Sequence, residues 1–147
     1  MHRIAIGCDP NAAEAKNALI EFLLKKGYDI CDFGGDDPIY ANVAFSVSKA
    51  VASKEYDRGV LLCGTGIGMS IAANKVNGAY AALISDAYSA ERARMSNDAN
   101  IACFGAFTLG IRLMERLAET FLSSEFEQGC SSQPKVDRIH EYAVKHE

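Results

Sequence analysis

No apolar run in this 147-residue chain approaches the length that crosses a bilayer, and residues 1–8, MHRIAIGC, are too short an apolar stretch to act as a secretory signal. No stripe of Lys and Arg stands out either. The 15 basic residues are mixed with 19 acidic ones for a net charge of −4, which offers no surface to a nucleic-acid backbone or an anionic membrane. The five cysteines form an odd set with no CxxC pair, so the chain is expected to have neither a disulfide frame nor a zinc site. Internal repeats, low-complexity tracts and interdomain linkers are also missing. What remains is the expectation of a cytoplasmic protein with a small-molecule partner.

Hydrophobic residues make up 49% and charged residues 23%, the balance of an ordinary globular domain spanning residues 1–147. Short apolar runs alternate with helical periods. Ile4–Cys8, Tyr28–Phe33, Gly59–Cys63, Ala79–Ile84 and Asn100–Phe104 read as strands. Between and after them come helical stripes: Ala15, Leu19, Phe22 and Leu23; then Tyr40, Val43, Ala44, Val47 and Val51; then Leu113, Met114, Leu117 and Phe121. Further helices begin near Ile67 and Asp86, and a last one carries Val136, Ile139 and Ala143. Such alternation predicts an α/β fold, a three-layer αβα sandwich around a Rossmann-like five-stranded parallel sheet. Ligands sit at the carboxyl ends of the strands in that architecture.

One such end reads Cys63-Gly64-Thr65-Gly66-Ile67-Gly68. Glycines at alternate positions let backbone amides approach an anion, and a following helix N-terminus adds partial positive charge. The pattern is neither GxGxxG nor a loop ending in GK[ST], so no nucleotide fingerprint is present. A thiol at a strand end beside a helix start is a candidate thiolate near neutral pH. The plainer reading of Cys63 is a small buried hydrophobe. Asp9 can simply cap a helix, Asp86 likewise, and Asn97-Asp98 can be an ordinary turn. Cys8, Cys31 and Cys103 read as core thiols, Cys130 as an exposed one, Tyr40 as a packing ring, and Lys25-Lys26 and Glu91–Arg94 as solvated helix faces.

Three blocks, GCDxxA at the first strand end, CGTGIGMSIAANK in the middle and DAYSAERARxSNDANxxxFG further on, resemble the ribose-5-phosphate isomerase B family, which includes the subunits of galactose-6-phosphate isomerase. The resemblance runs over essentially the whole chain. It implies an aldose–ketose isomerase of sugar phosphates that uses neither metal nor cofactor, passes through a cis-enediolate and works at a dimer interface. Cys63 then takes the proton next to the carbonyl, with Thr65 beside it. The amides of Gly64, Gly66 and Gly68 hold the oxyanion, Asp9 and Asn97 bind sugar hydroxyls, and Lys135 falls at about the position of a phosphate-binding arginine. A homodimer or dimer of dimers is implied, with the C-terminal helix (about 133–147) on the partner subunit.

This chain departs from that family at informative places. Pro10 stands where a phosphate-binding histidine is usual, Ser96 where a ring-opening histidine is usual, and Phe107 where an arginine is common. QGCSSQPK replaces the GGRHxxR segment, and Arg112 or Arg138 are candidate substitutes. His2, His140 and His146 all fall outside the motifs. Ribose 5-phosphate to ribulose 5-phosphate is the default reaction. An open-chain tetrose phosphate, another sugar, or a non-catalytic partner subunit with a sugar-binding role are the alternatives.

Overall fold

The computed structural model describes residues 2–145; His146 and the expected last two positions of the C-terminal helix lie outside the described residues. In chain order the elements are β1 (Arg3–Cys8), a 3-10 turn (Pro10–Ala12), α1 (Ala13–Lys25), β2 (Asp29–Asp32), α2 (Tyr40–Ala52), β3 (Arg58–Cys63) and α3 (Ile67–Ala73). They continue with β4 (Ala81–Leu83), α4 (Ala87–Met95), β5 (Ile101–Gly105), α5 (Ile111–Ser123) and α6 (Gln133–Lys145). All strand pairs are parallel, in the order β2-β1-β3-β5-β4. The strand alternation read from sequence is therefore present, with β4 outside β5.

Alternate strand residues feed two cores, as the period of two requires. Ile4, Ile6, Val60, Leu62 and Phe104 pack with Leu19, Leu23, Met114, Leu117 and Phe121 from α1 and α5. Ala5, Leu61, Cys63, Ile101 and Cys103 point the other way, onto Val43, Val47 and Val51 of α2 and Met69 of α3. Cys63 thus hangs from the α2–α3 face of the sheet. Leu113, placed on the α5 stripe by its spacing, is 45% exposed, on the far side of the helix from the core. Cys31 is only half-buried because β2 is an edge strand.

The other edge, β4, is only three residues long and is held by side chains. Asn74 at the end of α3 accepts from Ala81 N (2.8 Å) and donates to Ala81 O (3.0 Å). Asn100 accepts from Tyr80 N (2.8 Å) and donates to Gly78 O (2.9 Å). These amides mimic a neighbouring strand and fix the register of Leu83.

The Glu91–Arg94 run is not uniformly solvated. Arg94 is 3% exposed, because its donors reach Ala99 O (2.6 Å), Asp98 (2.9 Å) and Ser124 O (3.3 Å). Nearby, Glu125 accepts from Arg58 (2.9 Å) and bonds the His2 ring (2.6 Å), tying the segment after α5 to the amino ends of β1 and β3. Partial burial pushes the Glu125 carboxyl up, but the His2 hydrogen bond and the Arg58 and Arg94 charges outweigh it and leave the carboxyl below its ordinary value. A carboxylate depressed by folding stabilises the fold above its unfolded pKa, and that contribution disappears as pH falls through the folded one. Glu125→Gln should therefore lower the melting temperature at pH 7 by about 1–2 °C, the contribution of a solvent-screened carboxylate, with a smaller gap to the unmodified chain at pH 3. Melting curves at both pH values check this.

Candidate active site

The chain leaves β1 toward β2 and leaves β3 toward the opposite edge, so the carboxyl ends of β1 and β3 form a switch point of the kind where ligands bind. Cys63 closes β3 and is 5% exposed. Gly66 N donates to Cys63 Sγ at 3.1 Å. The turn that aims this amide has Gly66 at φ +80°, a left-handed conformation glycine adopts without penalty. A side chain there would meet Leu83 Cδ1 at 2.6 Å and the Phe104 carbonyl carbon at 3.0 Å.

Two backbone bonds pin the loop to the end of β5: Ala106 N to Cys63 O (2.8 Å) and Phe107 N to Gly64 O (2.9 Å). Thr65 Oγ1 accepts from Ile67 N at 3.2 Å and stands exposed beside Cys63. The amide of Gly68, in the first turn of α3, has no intrahelical acceptor. Two rings flank the loop. The phenol end of Tyr40 lies where a Gly68 Cβ would be, and the Phe107 ring lies 2.9 Å from a Cβ built at Gly64. Tyr40, which reads as a packing residue in sequence, is 37% exposed, and Phe107 is 72% exposed.

Asp9 follows β1, its amide bonded to Leu62 O (3.0 Å). Its Oδ1 caps the 3-10 turn through Ala12 N (3.2 Å), so the capping reading is fulfilled, and the carboxylate still stands at the strand end next to β3. The structure thus brings together Cys63, Gly64, Thr65, Gly66, Gly68 and Asp9. It keeps Asn97 and Lys135 apart from them. Asn97 precedes β5, whereas Cys63 is in register with Gly105, the last residue of β5, so the two lie at opposite ends of the sheet. Lys135 is exposed in the first turn of α6.

Three thiols besides Cys63 share the sheet, and two of them are inert by environment. Burial pushes the Cys8 thiol up to about 11 despite the Lys16 charge. Burial raises Cys103 further still, with the neighbouring Cys63 adding to it.

A sulfur next to a pinned loop of bare amides, at the switch point of a doubly wound sheet, is an arrangement that can serve proton or acyl transfer through an oxyanion. Comparison with known proteins narrows this. The Ribose/Galactose Isomerase family model matches residues 4–139. D-erythrulose-4-phosphate isomerase of Pectobacterium atrosepticum is 44% identical, with all of both chains covered. Ribose-5-P isomerase B of Listeria innocua is 47% identical over 97% of this chain and 98% of its own. The solved Clostridium thermocellum ribose-5-phosphate isomerase B superposes with a TM-score of 0.92 at 39% identity, covering 99% of each chain. The chain belongs to the ribose/galactose isomerase family, and the relatives just named are isomerases of sugar phosphates.

Proposed function

We propose that this chain interconverts an open-chain four-carbon aldose phosphate and its ketose, erythrose 4-phosphate and erythrulose 4-phosphate, through a cis-enediolate. The observation that carries the reading is Ser96. Its hydroxyl donates to Arg92 O at 3.2 Å and is spent on its own helix. The other described imidazoles are engaged elsewhere, His2 on Glu125 and His140 stacked on Tyr80. A tetrose 4-phosphate carries its phosphate on the only hydroxyl that could close a furanose, so its isomerase needs no ring-opening acid. The Pectobacterium relative, matched from end to end, supports the same substrate.

In this reading the Cys63 sulfur takes the proton from C2 of the aldose and returns it to C1, while the hydroxyl proton moves from O2 to O1. Charge that develops on the carbonyl oxygen falls on the loop amides, Gly64, Gly66 and Gly68, with Thr65 beside them. A preorganised donor of this kind contributes roughly 3–4 kcal/mol to a transition state. Asp9 and Asn97 bind sugar hydroxyls, Lys135 serves the phosphate, and no metal or cofactor takes part. A homodimer, or a dimer of dimers, with α6 against the partner completes the site. α6 meets its own body at the buried Val136 and at the Tyr80–His140 stack, 4.4 Å between centroids, which leaves Ile139 52% exposed.

Steady-state rates with erythrulose 4-phosphate and ribose 5-phosphate test this directly. The tetrulose phosphate should give the higher kcat/KM by about tenfold or more, and Ser96→His should leave it unimproved. A higher kcat/KM with ribose 5-phosphate, the substrate of the Listeria relative's name, would replace the reading with the pentose one.

A further inference from the structure

Tyr40 opens α2 directly after the loop that leaves the carboxyl end of β2, so it stands at the same end of the sheet as the Cys63 loop. Val43, one turn further along, shares a buried cluster with Cys63 and Met69, which puts Tyr40 on the face from which the sulfur hangs. Its hydroxyl leads toward the loop. Oη is the atom nearest the position a Cβ would take at Gly68, ahead of the ring carbons Cζ and Cε1. Gly68 has no need of glycine for its own conformation, since it belongs to α3 and its φ is negative. Glycine in a helix is less stable than alanine, and what the bare position admits here is the phenol. Packing does not explain the hydroxyl, because a phenylalanine ring would fill the same space. Among the described residues Tyr40 Oη has no hydrogen-bond partner, so a donor and an acceptor are left facing the loop.

Resting on the sugar-phosphate reading above, we propose that Tyr40 is a further substrate-binding residue, whose phenol takes the C3 hydroxyl of the sugar phosphate and makes the site selective for it. The reacting carbons C1 and C2 belong to the Cys63 sulfur, and their oxygens to the loop amides. Tyr40 meets that loop at its far end, at Gly68. The next polar group along the substrate is the C3 hydroxyl, one bond beyond C2. A phenol is neutral and both donates and accepts, which matches a sugar hydroxyl; a phosphate calls for a cation or several donors instead. The seat on Gly68 fixes the phenol before substrate arrives, so little ordering is left for binding to impose. A preset partner of this kind discriminates against an analogue that lacks the hydroxyl, because the bound analogue covers the phenol without giving it a bond.

Tyr40→Phe removes one oxygen and keeps the ring on Gly68, so the melting temperature should stay within about 1 °C. kcat/KM for erythrulose 4-phosphate should fall by about tenfold, and the rise in melting temperature that this sugar phosphate gives the unmodified protein should shrink, a readout of binding that needs no turnover. The decisive comparison uses the 3-deoxy analogue of the tetrulose phosphate. The unmodified protein should turn it over about tenfold less efficiently than erythrulose 4-phosphate, and Tyr40→Phe should treat the two alike within about twofold. A Tyr40→Phe enzyme that keeps its kcat/KM, or that loses the same factor on both compounds, would overturn the inference and leave the tetrose reading standing. The substrate reading fails separately. An enzyme that prefers ribose 5-phosphate, with selectivity for the C3 hydroxyl still dependent on Tyr40, refutes the tetrose assignment and keeps Tyr40 in the site.

Discussion

Cys63→Ala is expected to lower kcat by about 10³-fold or more and the melting temperature by only a few degrees, since positioned bases contribute roughly 10²–10⁴-fold and the sulfur also accepts the Gly66 amide hydrogen bond. The side chain is 5% exposed and small, so alanine removes Sγ without unpacking Val43, Val47 or Met69 around it. The same sulfur should be the one an alkylating reagent finds with substrate-dependent protection. Cys8 and Cys103 stay protonated at pH 7–8, because burial holds Cys8 near 11 and Cys103 higher still. Alkylation requires the thiolate, so those two should label only in unfolded protein. Mass spectrometry of labelled peptides, with and without substrate, separates the outcomes. Labelling of Cys63 that substrate does not slow would leave it as a core thiol.

Gly66→Ala is the second large effect, and its cause is backbone rather than chemistry. At φ +80° an alanine is strained by about 1–2 kcal/mol, and its Cβ is driven against Leu83 and the Phe104 carbonyl. The strain can be relieved only by moving the turn, which carries the Gly66 amide away from Cys63 Sγ. Activity should fall by about 10²-fold or more, and the melting temperature by about 4 °C or more. Gly110→Ala supplies the control. That glycine has φ −70° and nothing within 4 Å of an added Cβ, so the substitution should leave both quantities unchanged. If Gly66→Ala kept full activity, the loop amides would have no part in catalysis.

Much of this was legible in the chain itself. Five apolar runs separated by helical periods dictate a parallel sheet, and the glycine loop announces itself by spacing. The strand order was not legible, because β4 takes the edge through the Asn74 and Asn100 side-chain bonds, which no periodicity encodes. The Glu91–Arg94 run reads as solvated because three of its four residues are charged; the acceptors of Arg94, Ala99 O and Ser124 O, are carbonyls that only the folded chain brings together. The SNDAN block puts Asn97 among the site residues, yet Asn97 sits before β5 and Cys63 level with its end, a separation that follows from topology rather than from residue type.

If the tetrose reading holds, the Cys63 sulfur moves a proton next to the carbonyl of a short sugar phosphate. Proton NMR in D₂O, with erythrulose 4-phosphate and ribose 5-phosphate supplied in turn, reads that step whether or not product accumulates. Deuterium should enter C1 of the tetrulose phosphate at a rate that Cys63→Ala abolishes. Exchange that persists in Cys63→Ala, or no exchange with either sugar phosphate, would contradict it.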